Sequence, residues 1–104
     1  AIAVSTAKRS PAAPAVPTVA ESGVRDFDIS TWFGVFAPAA TSKDIIGKLN
    51  AEISRALTLP DVRERLAREG AETAPNSPEQ FGKFIQSEIA KFARIIRESG
   101  ARAD

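Results

Sequence analysis

The sequence predicts an α/β fold in which a few strands are covered by three main helices. Apolar segments typical of buried strands occupy residues 1–4 and 27–38, and three later segments repeat apolar residues at intervals of three and four, as amphipathic helices do. At 104 residues the chain forms one domain at most. We expect a small core, because chains of this size bury a smaller share of their surface than larger proteins do.

Residues 1–26 are predicted to form a strand followed by a loop. The apolar run at residues 1–4 opens the chain directly, and prolines at positions 11, 14 and 17 exclude a regular element after it. Thr18 and Glu21 have the spacing of a capping box, and Gly23 follows where a single helical turn would stop. Because no turn precedes the apolar run, we interpret the start as a cut through a longer protein or a processed end.

Residues 27–38 predict a second strand, which enters a covered sheet. The run alternates apolar and polar residues as far as Thr31 and is then apolar on both faces through Ala37, and Pro38 ends it. A short apolar piece at residues 71–74 indicates an edge strand.

The helical region is predicted over residues 41–100 as three helices. Each start carries a capping side chain or a proline suited to the first turn, and the helices end at a proline or a glycine. The third helix has the clearest apolar stripe, and the tail after it is expected to fray. The boundary residues are Thr41 with Asp44, Pro60, Gly70, Ser77 with Gln80, and Gly100, and the stripe consists of Phe81, Phe84, Ile85, Ile89, Phe92 and Ile96.

Composition excludes several kinds of site. The chain has no His and no Cys, so the usual ligands of zinc, a Cys nucleophile and a His general base are all missing. The 14 basic and 13 acidic residues are evenly spread, unlike the one-sided basic surface of a nucleic-acid binder. No apolar run approaches the roughly 20 residues of a membrane span. We therefore predict no metal, no cofactor, no nucleic-acid partner and no direct membrane insertion.

Two patterns could support catalysis, and neither has the surroundings that it needs. Ser5 and Lys8 match a motif in which a lysine activates a serine, but that motif needs a helix and here it heads into a proline-rich loop. Asp26 and Asp28 share one face of a strand, yet nothing in the sequence would separate their pKa values. We predict no catalytic residue and no enzyme, and a hydrolase using Ser5 and Lys8 is only a third hypothesis.

Four residues are candidates for ligand binding. Ser5, Thr6 and Thr18 carry hydroxyl groups at strand or helix ends, where a carboxylate can be bound without a charged partner. Trp32 is the single tryptophan and lies where the side chain of a strand can line a ligand crevice. The alternatives are capping and turn chemistry for the hydroxyl groups, which is favoured for Thr18, and core packing for Trp32, which is the default interpretation of that residue.

The order of these segments resembles the solute receptors of tripartite tricarboxylate transporters, the Bug-type periplasmic binding proteins. The resemblance covers essentially the whole chain, and it departs from the usual pattern at Ala13, at residues 40–42, and at Leu59, where an Asp often caps the second helix. Losing that cap should cost about 1 kcal/mol. The runs that carry the resemblance are AVSTAKRSP (3–11), VPTVAESG (16–23), STWFGVFAPA (30–39), KLNAEI (48–53), PDVRERL (60–66) and GAE (70–72).

The resemblance implies that residues 1–104 are the C-terminal part of a two-lobed periplasmic-binding-protein-like fold. In this interpretation residues 1–26 are a hinge strand and a Pro-rich loop, 27–38 a strand and 41–100 the helical region. The implied parent protein is exported to the periplasm, captures a small organic acid in its cleft and delivers it to membrane transporter subunits. The resemblance supports Ser5, Thr6, Thr18 and Trp32 as residues near the cleft.

A second function remains open at this point. The stripe of the third helix could pack against a partner chain or a second copy, which would make the protein a stand-alone helical interaction or dimerisation module with no ligand.

Overall fold

The computed structural model describes residues 1–102 and contains three helices: α1 (Lys43–Thr58), α2 (Pro60–Arg68) and α3 (Pro78–Ser99). The three predicted helices are therefore confirmed. The expectation of a frayed tail falls partly on residues 103–104, which lie outside the described residues. How residues 1–104 divide into parts of a complete receptor stays a prediction.

The predicted strands are wrong for residues 1–102. Residues 1–3, 27–38 and 71–74 lie in irregular backbone, and pairing in this part of the chain is limited to one isolated parallel bridge between Val4 and Thr18. In that bridge the Val4 amide donates to the Pro17 carbonyl and the Val19 amide donates to the Val4 carbonyl, each at 2.9 Å. A strand needs a neighbour for its backbone groups, and the described residues supply one only at Val4.

Helix α1 begins one residue later than the sequence predicts. Ser42, not Thr41, is the N-cap, and its hydroxyl accepts a hydrogen bond from the Ile45 amide at 3.4 Å. Thr41 instead closes the preceding turn, since its amide donates to the Pro38 carbonyl at 2.9 Å. The two hydroxyl residues are adjacent in sequence, so spacing alone does not separate a cap from a turn residue.

Helix α2 starts at Pro60 as predicted, and the predicted stop residue, Gly70, follows its C-cap Glu69. Gly70 has a φ of 73°, and the Ala71 amide reaches back to the Leu66 carbonyl at 2.9 Å, which is the Schellman arrangement. Its N-cap, Leu59, makes no side-chain capping bond. The first-turn amides of α2 thus lack the acceptor that an Asp would supply.

Helix α3 carries the predicted capping box. The Ser77 hydroxyl accepts from the Gln80 amide at 3.1 Å, and the Gln80 side chain accepts from the Ser77 amide at 2.9 Å. Gly100 ends the helix in the left-handed conformation, with a φ of 69°. Helix α1 packs against both α2 and α3, so it connects the other two helices.

Residues 1–102 contain no fully buried hydrophobic side chain, and the chain is expanded for its size. Its radius of gyration is 16.7 Å, against about 13 Å for a compact domain of 100 residues. Its accessible surface is 8787 Å², whereas a folded monomer of 11.1 kDa exposes about 5,700 Å². About 3,000 Å² of surface that a compact protein would bury is therefore exposed.

Candidate functional site

Three segments meet at a corner formed by residues 4–8, 17–22 and 28–29. The Val4–Thr18 bridge joins the first two segments. The Ile29 amide donates to the Ser5 carbonyl at 2.9 Å, and the Ala7 amide donates to a carboxylate oxygen of Asp28 at 3.0 Å. The corner therefore brings together the three hydroxyl residues that the sequence singles out, although they come from two separate segments.

The three hydroxyl groups differ in what they can reach. Ser5 is exposed, whereas Thr6 is half-buried and its hydroxyl donates to the Lys8 carbonyl at 2.7 Å. Thr18 is only 2% exposed, and its hydroxyl accepts from the Glu21 amide at 3.0 Å. Of the three residues, Ser5 presents its hydroxyl group to solvent, while Thr6 and Thr18 hold the backbone.

The predicted capping box at Thr18 is present and extends to a cation. The Thr18 amide donates to a Glu21 carboxylate oxygen at 2.7 Å, and Arg9 forms an ion pair with the same carboxylate at 2.9 Å. The hydrogen bond from the Thr18 backbone, and then the one from Arg9, lower the pKa of Glu21 below its usual value. Arg9 is thereby neutralised within the loop, and the carboxylate fixes the loop that carries Thr18.

A link from the corner to α3 is made by residues that the sequence analysis missed. The Lys91 ammonium donates to the Asp28 carbonyl at 3.1 Å, across 63 positions of sequence, and also pairs with Glu88. Glu88 is only 9% exposed. The spacing of Glu88 and Lys91 is an ordinary pattern on a helix, so the sequence gives no signal that Lys91 reaches a distant loop.

Trp32 lies against the first turns of α3, where the apolar stripe of this helix begins. Its ring meets those of Phe81 and Phe84 edge-on, with centroids 5.8 Å and 5.2 Å apart, and Phe36 packs on Phe81 at 5.4 Å. Edge-to-face packing of this kind contributes beyond the apolar area it covers. The structure thus brings Trp32 to an aromatic cluster, whereas the hydroxyl residues lie at the corner.

The structure does not form either of the two catalytic patterns as an active arrangement. Residues 5–8 form bends and not the helical turn in which a lysine could approach Ser5. Asp28 accepts from the Ala7 amide, which gives its carboxylate a structural role. Within residues 1–102 no three acidic side chains group together in a way that could hold a metal ion.

An open apolar groove of about 320 Å³ lies between residues 33–37, α1 and residues 74–78. Ile46, Leu49 and Ile53 of α1 line the groove, together with residues 33–37. The Asn50 side chain donates to the Asn76 carbonyl at 2.8 Å and so ties α1 to residues 74–78, which also line the groove. None of the four predicted binding residues lines this groove.

Comparisons with known proteins relate the whole chain to one kind of receptor. A family model for the receptor of the tripartite tricarboxylate transporter family matches residues 1–101. The chain is 40% identical over 94% of its length to a UPF0065 protein in the tcbD-tcbE intergenic region of Pseudomonas sp. (strain P51), and 42% identical over 98% to the protein BugT of Bordetella pertussis. It spans 30% and 31% of the lengths of those relatives.

Solved structures show the same relationship in three dimensions. R. palustris Rpa4515 with adipate superposes on 94% of this chain with a TM-score of 0.82 and 34% identity, and the matched part is 33% of that chain. The periplasmic binding protein BugD superposes on 98% of this chain, also with a TM-score of 0.82, at 31% identity and over 35% of its own chain. The chain therefore has the fold of one part of a periplasmic binding protein.

No helix within residues 1–102 has the length and apolar character needed to cross a membrane.

Proposed function

Because this chain belongs to the receptor family of tripartite tricarboxylate transporters, we propose that it is part of a periplasmic receptor that binds a small organic acid. The parent receptor delivers that acid to the membrane subunits of such a transporter. The family match over residues 1–101 carries the proposal. Support for the ligand class comes from Rpa4515, which was solved with the dicarboxylate adipate, and support for the periplasm comes from the name of BugD.

Neutral donors at the corner suit a carboxylate ligand. Ser5 is exposed beside a fixed backbone, and Thr6 lies next to it. The neighbouring Arg9 is already paired with Glu21, so the corner would bind an anion through hydroxyl and amide groups. We assign direct contact to Ser5, and a supporting position near the cleft to Thr6, Thr18 and Trp32.

The proposed mechanism contains no chemical step. A ligand that binds the closed arrangement of two lobes more tightly than the open one shifts the population toward closure. The residues of this chain bind and position the acid, and no catalytic residue is assigned. Recognition of the closed receptor by the transporter completes the delivery.

A chimera tests the function. Residues 1–104 replace the segment of Rpa4515 to which they are similar, and calorimetry measures binding of adipate, of other mono-, di- and tricarboxylates, and of adipamide. We expect a carboxylate to bind and adipamide, which has no charge, to fail. A folded chimera that binds none of the acids, while unmodified Rpa4515 binds adipate, overturns the proposal.

The compartment is tested separately. An epitope tag placed after Asp104 in the chromosomal gene allows the protein to be followed after osmotic shock of the source cells. Release with the periplasmic fraction is expected. Retention with the cytoplasmic fraction contradicts the periplasmic assignment.

A further inference from the structure

The carboxylate of Asp28 already occupies one of the backbone donors of the corner. Its Oδ1 atom accepts from the Ala7 amide at 3.0 Å, and the next amide along the chain, that of Ile29, donates to the Ser5 carbonyl at 2.9 Å. Residues 28–29 are therefore joined to residues 5–7 at two points. Asp28 and Ser5 are both exposed, so a ligand that reaches the Ser5 hydroxyl meets the Asp28 carboxylate as well.

The negative charge of Asp28 lies close to the proposed contact at Ser5. Ala7, whose amide holds this carboxylate, is two residues after Ser5, and two residues of extended chain span at most about 7 Å. Charges separated by about 8 Å or less still interact at physiological ionic strength. A carboxylate bound to the Ser5 hydroxyl is therefore repelled by Asp28.

The two cations that hold the corner together are already neutralised. Arg9 forms an ion pair with Glu21, and Lys91, whose ammonium donates to the Asp28 carbonyl at 3.1 Å, pairs with Glu88. Within residues 1–102 no ion pair involves the Asp28 carboxylate itself. The charge of Asp28 is thus not cancelled by a bound cation.

Lys8 is a further cation of the same segment, but it does not offset Asp28 in a fixed way. Lys8 is exposed, and no ion pair within the described part of the chain holds its ammonium. An exposed cation on a long side chain interacts weakly with its surroundings through water. Asp28 is held by the Ala7 amide, so the corner combines neutral donors with one fixed negative charge.

We infer that Asp28 determines specificity at the proposed site by limiting the negative charge of the acid. Each carboxylate that a ligand places near Ser5 is opposed by Asp28, so an acid with one carboxylate there is favoured over an acid with two or three. The favoured class is monocarboxylates and dicarboxylates with a long apolar spacer, and tricarboxylates with their charges on neighbouring carbons are disfavoured. The inference rests on the proposed function and adds the class of acid.

Calorimetry on the Rpa4515 chimera tests the inference with acids of rising charge. Hexanoate, adipate and tricarballylate carry one, two and three carboxylates. Asp28→Asn removes the charge and keeps an oxygen that can accept from the Ala7 amide. We expect this variant to bind adipate about threefold more tightly and tricarballylate about tenfold more tightly, because one unit charge about 7 Å away through water changes an affinity about threefold and the repulsions add.

Three further variants serve as controls. Asp61→Asn removes the same charge from an exposed side chain of α2, which packs against α1 and lies outside the corner, and should leave all three affinities unchanged. Asp28→Ala removes the charge and the acceptor together, so it should bind less tightly than Asp28→Asn. Thermal unfolding checks that each variant is folded, and Asp28→Ser, which is also neutral, takes the place of Asp28→Asn if that protein does not fold.

Four outcomes overturn the inference. They are equal affinities of the chimera and Asp28→Asn for every acid, a gain that does not grow with the number of carboxylates, an equal gain in Asp61→Asn, and rejection of tricarballylate by both forms. Weaker binding by Asp28→Ala with no change in Asp28→Asn would show that Asp28 only positions residues 5–7. In each of these cases the acids that still bind leave the proposed function intact, whereas a folded chimera and variant that bind no acid remove both.

Discussion

Gly34 lies so close to Phe81 that a single added methyl group could not fit between them. A Cβ at Gly34 would overlap the tip of the Phe81 ring and would also lie 3.1 Å from Cε1 of that ring and 3.2 Å from Cε2 of Phe36. The glycine thus allows the backbone of residues 32–36 to approach α3 while the rings of Trp32 and Phe36 pack on either side. The backbone conformation at Gly34 is ordinary, so the requirement for glycine is one of space.

Gly34→Ala is therefore expected to destabilise the protein by about 1–3 kcal/mol, because Phe81 must leave its rotamer or the backbone must move away from α3. Urea unfolding of the Rpa4515 chimera measures the change. Gly82→Ala is the matched control, since nothing lies within 4 Å of the position its methyl group would take. Because position 82 lies within a helix, Gly82→Ala should stabilise the protein by up to about 1 kcal/mol. Equal effects of the two changes would contradict the packing described.

Leu59→Asp should raise the free energy of unfolding of the same chimera by about 0.5–1 kcal/mol. The new carboxylate can accept from first-turn amides of α2, for which Leu59 supplies no side-chain acceptor. It also places a negative charge at the positive end of the helix. Leu59→Ala removes the same side chain without adding a cap, so it separates capping from lost packing. A gain equal in both variants would refute the capping explanation.

Acidification should weaken the loop around Thr18. The pKa of Glu21 is lower in the folded protein than in the unfolded chain, so its contribution to stability is fully present above the unfolded value and is lost as the pH falls through the folded one. The free energy of unfolding of the chimera should therefore decline between about pH 7 and pH 3, and the decline should be shallower in Glu21→Gln. NMR titration of the Glu21 carboxyl should give a higher pKa in Arg9→Ala. An unchanged Glu21 pKa in that variant would exclude a contribution from Arg9.

Lys91→Met should destabilise the chimera by about 1–2 kcal/mol, because it leaves the largely buried Glu88 without its cation and the Asp28 carbonyl without its donor. Lys83→Met is the control, since it breaks a pair with Glu79 in which both side chains are more than 70% exposed. That exposed ion pair should contribute less than about 1 kcal/mol to the free energy of unfolding. If Lys83→Met lowered the free energy of unfolding as much as Lys91→Met, the hydrogen bond from Lys91 to Asp28 would contribute nothing to stability.

The 104-residue chain alone should not bind adipate at micromolar concentration. Ser5 and Thr6 lie at an open corner, and a ligand there would keep most of its surface in water. Calorimetry on the isolated chain and on the chimera makes the comparison. Equal affinity of the two would show that the ligand site lies entirely within these residues.

The helices and the family could be predicted from the sequence because their signals are local. Prolines, glycines and capping side chains fixed the bounds of α2 and α3, and the resemblance read from ordered motifs is confirmed by the family match over residues 1–101. Even the capping box at Thr18 follows from two residues three apart. The one-residue error at Ser42 arose where two neighbouring hydroxyl residues could each serve as the cap.

The strands could not be predicted in the same way, because pairing depends on a neighbour. The apolar pattern of residues 27–38 predicted a strand in a covered sheet, yet no neighbouring strand is available within residues 1–102. The link from Lys91 to Asp28 was missed because it joins residues 63 positions apart, and only the fold brings them together. The roles of Ser5, Thr6, Thr18 and Trp32 in ligand binding stay predictions.

The two hydrogen bonds that Asp28 accepts connect residue 7 to helix α3 through a single residue. Its carboxylate accepts from the Ala7 amide and its carbonyl accepts from Lys91 of α3, so one residue separates the segment that carries Ser5 and Thr6 from this helix. We expect Asp28→Ala, which cuts the first bond and keeps the second, to uncouple them. Adipate should then shift the amide resonances of α3 in the chimera but not in this variant. Asp28 would then couple the proposed ligand contact at Ser5 to α3, the longest of the three helices.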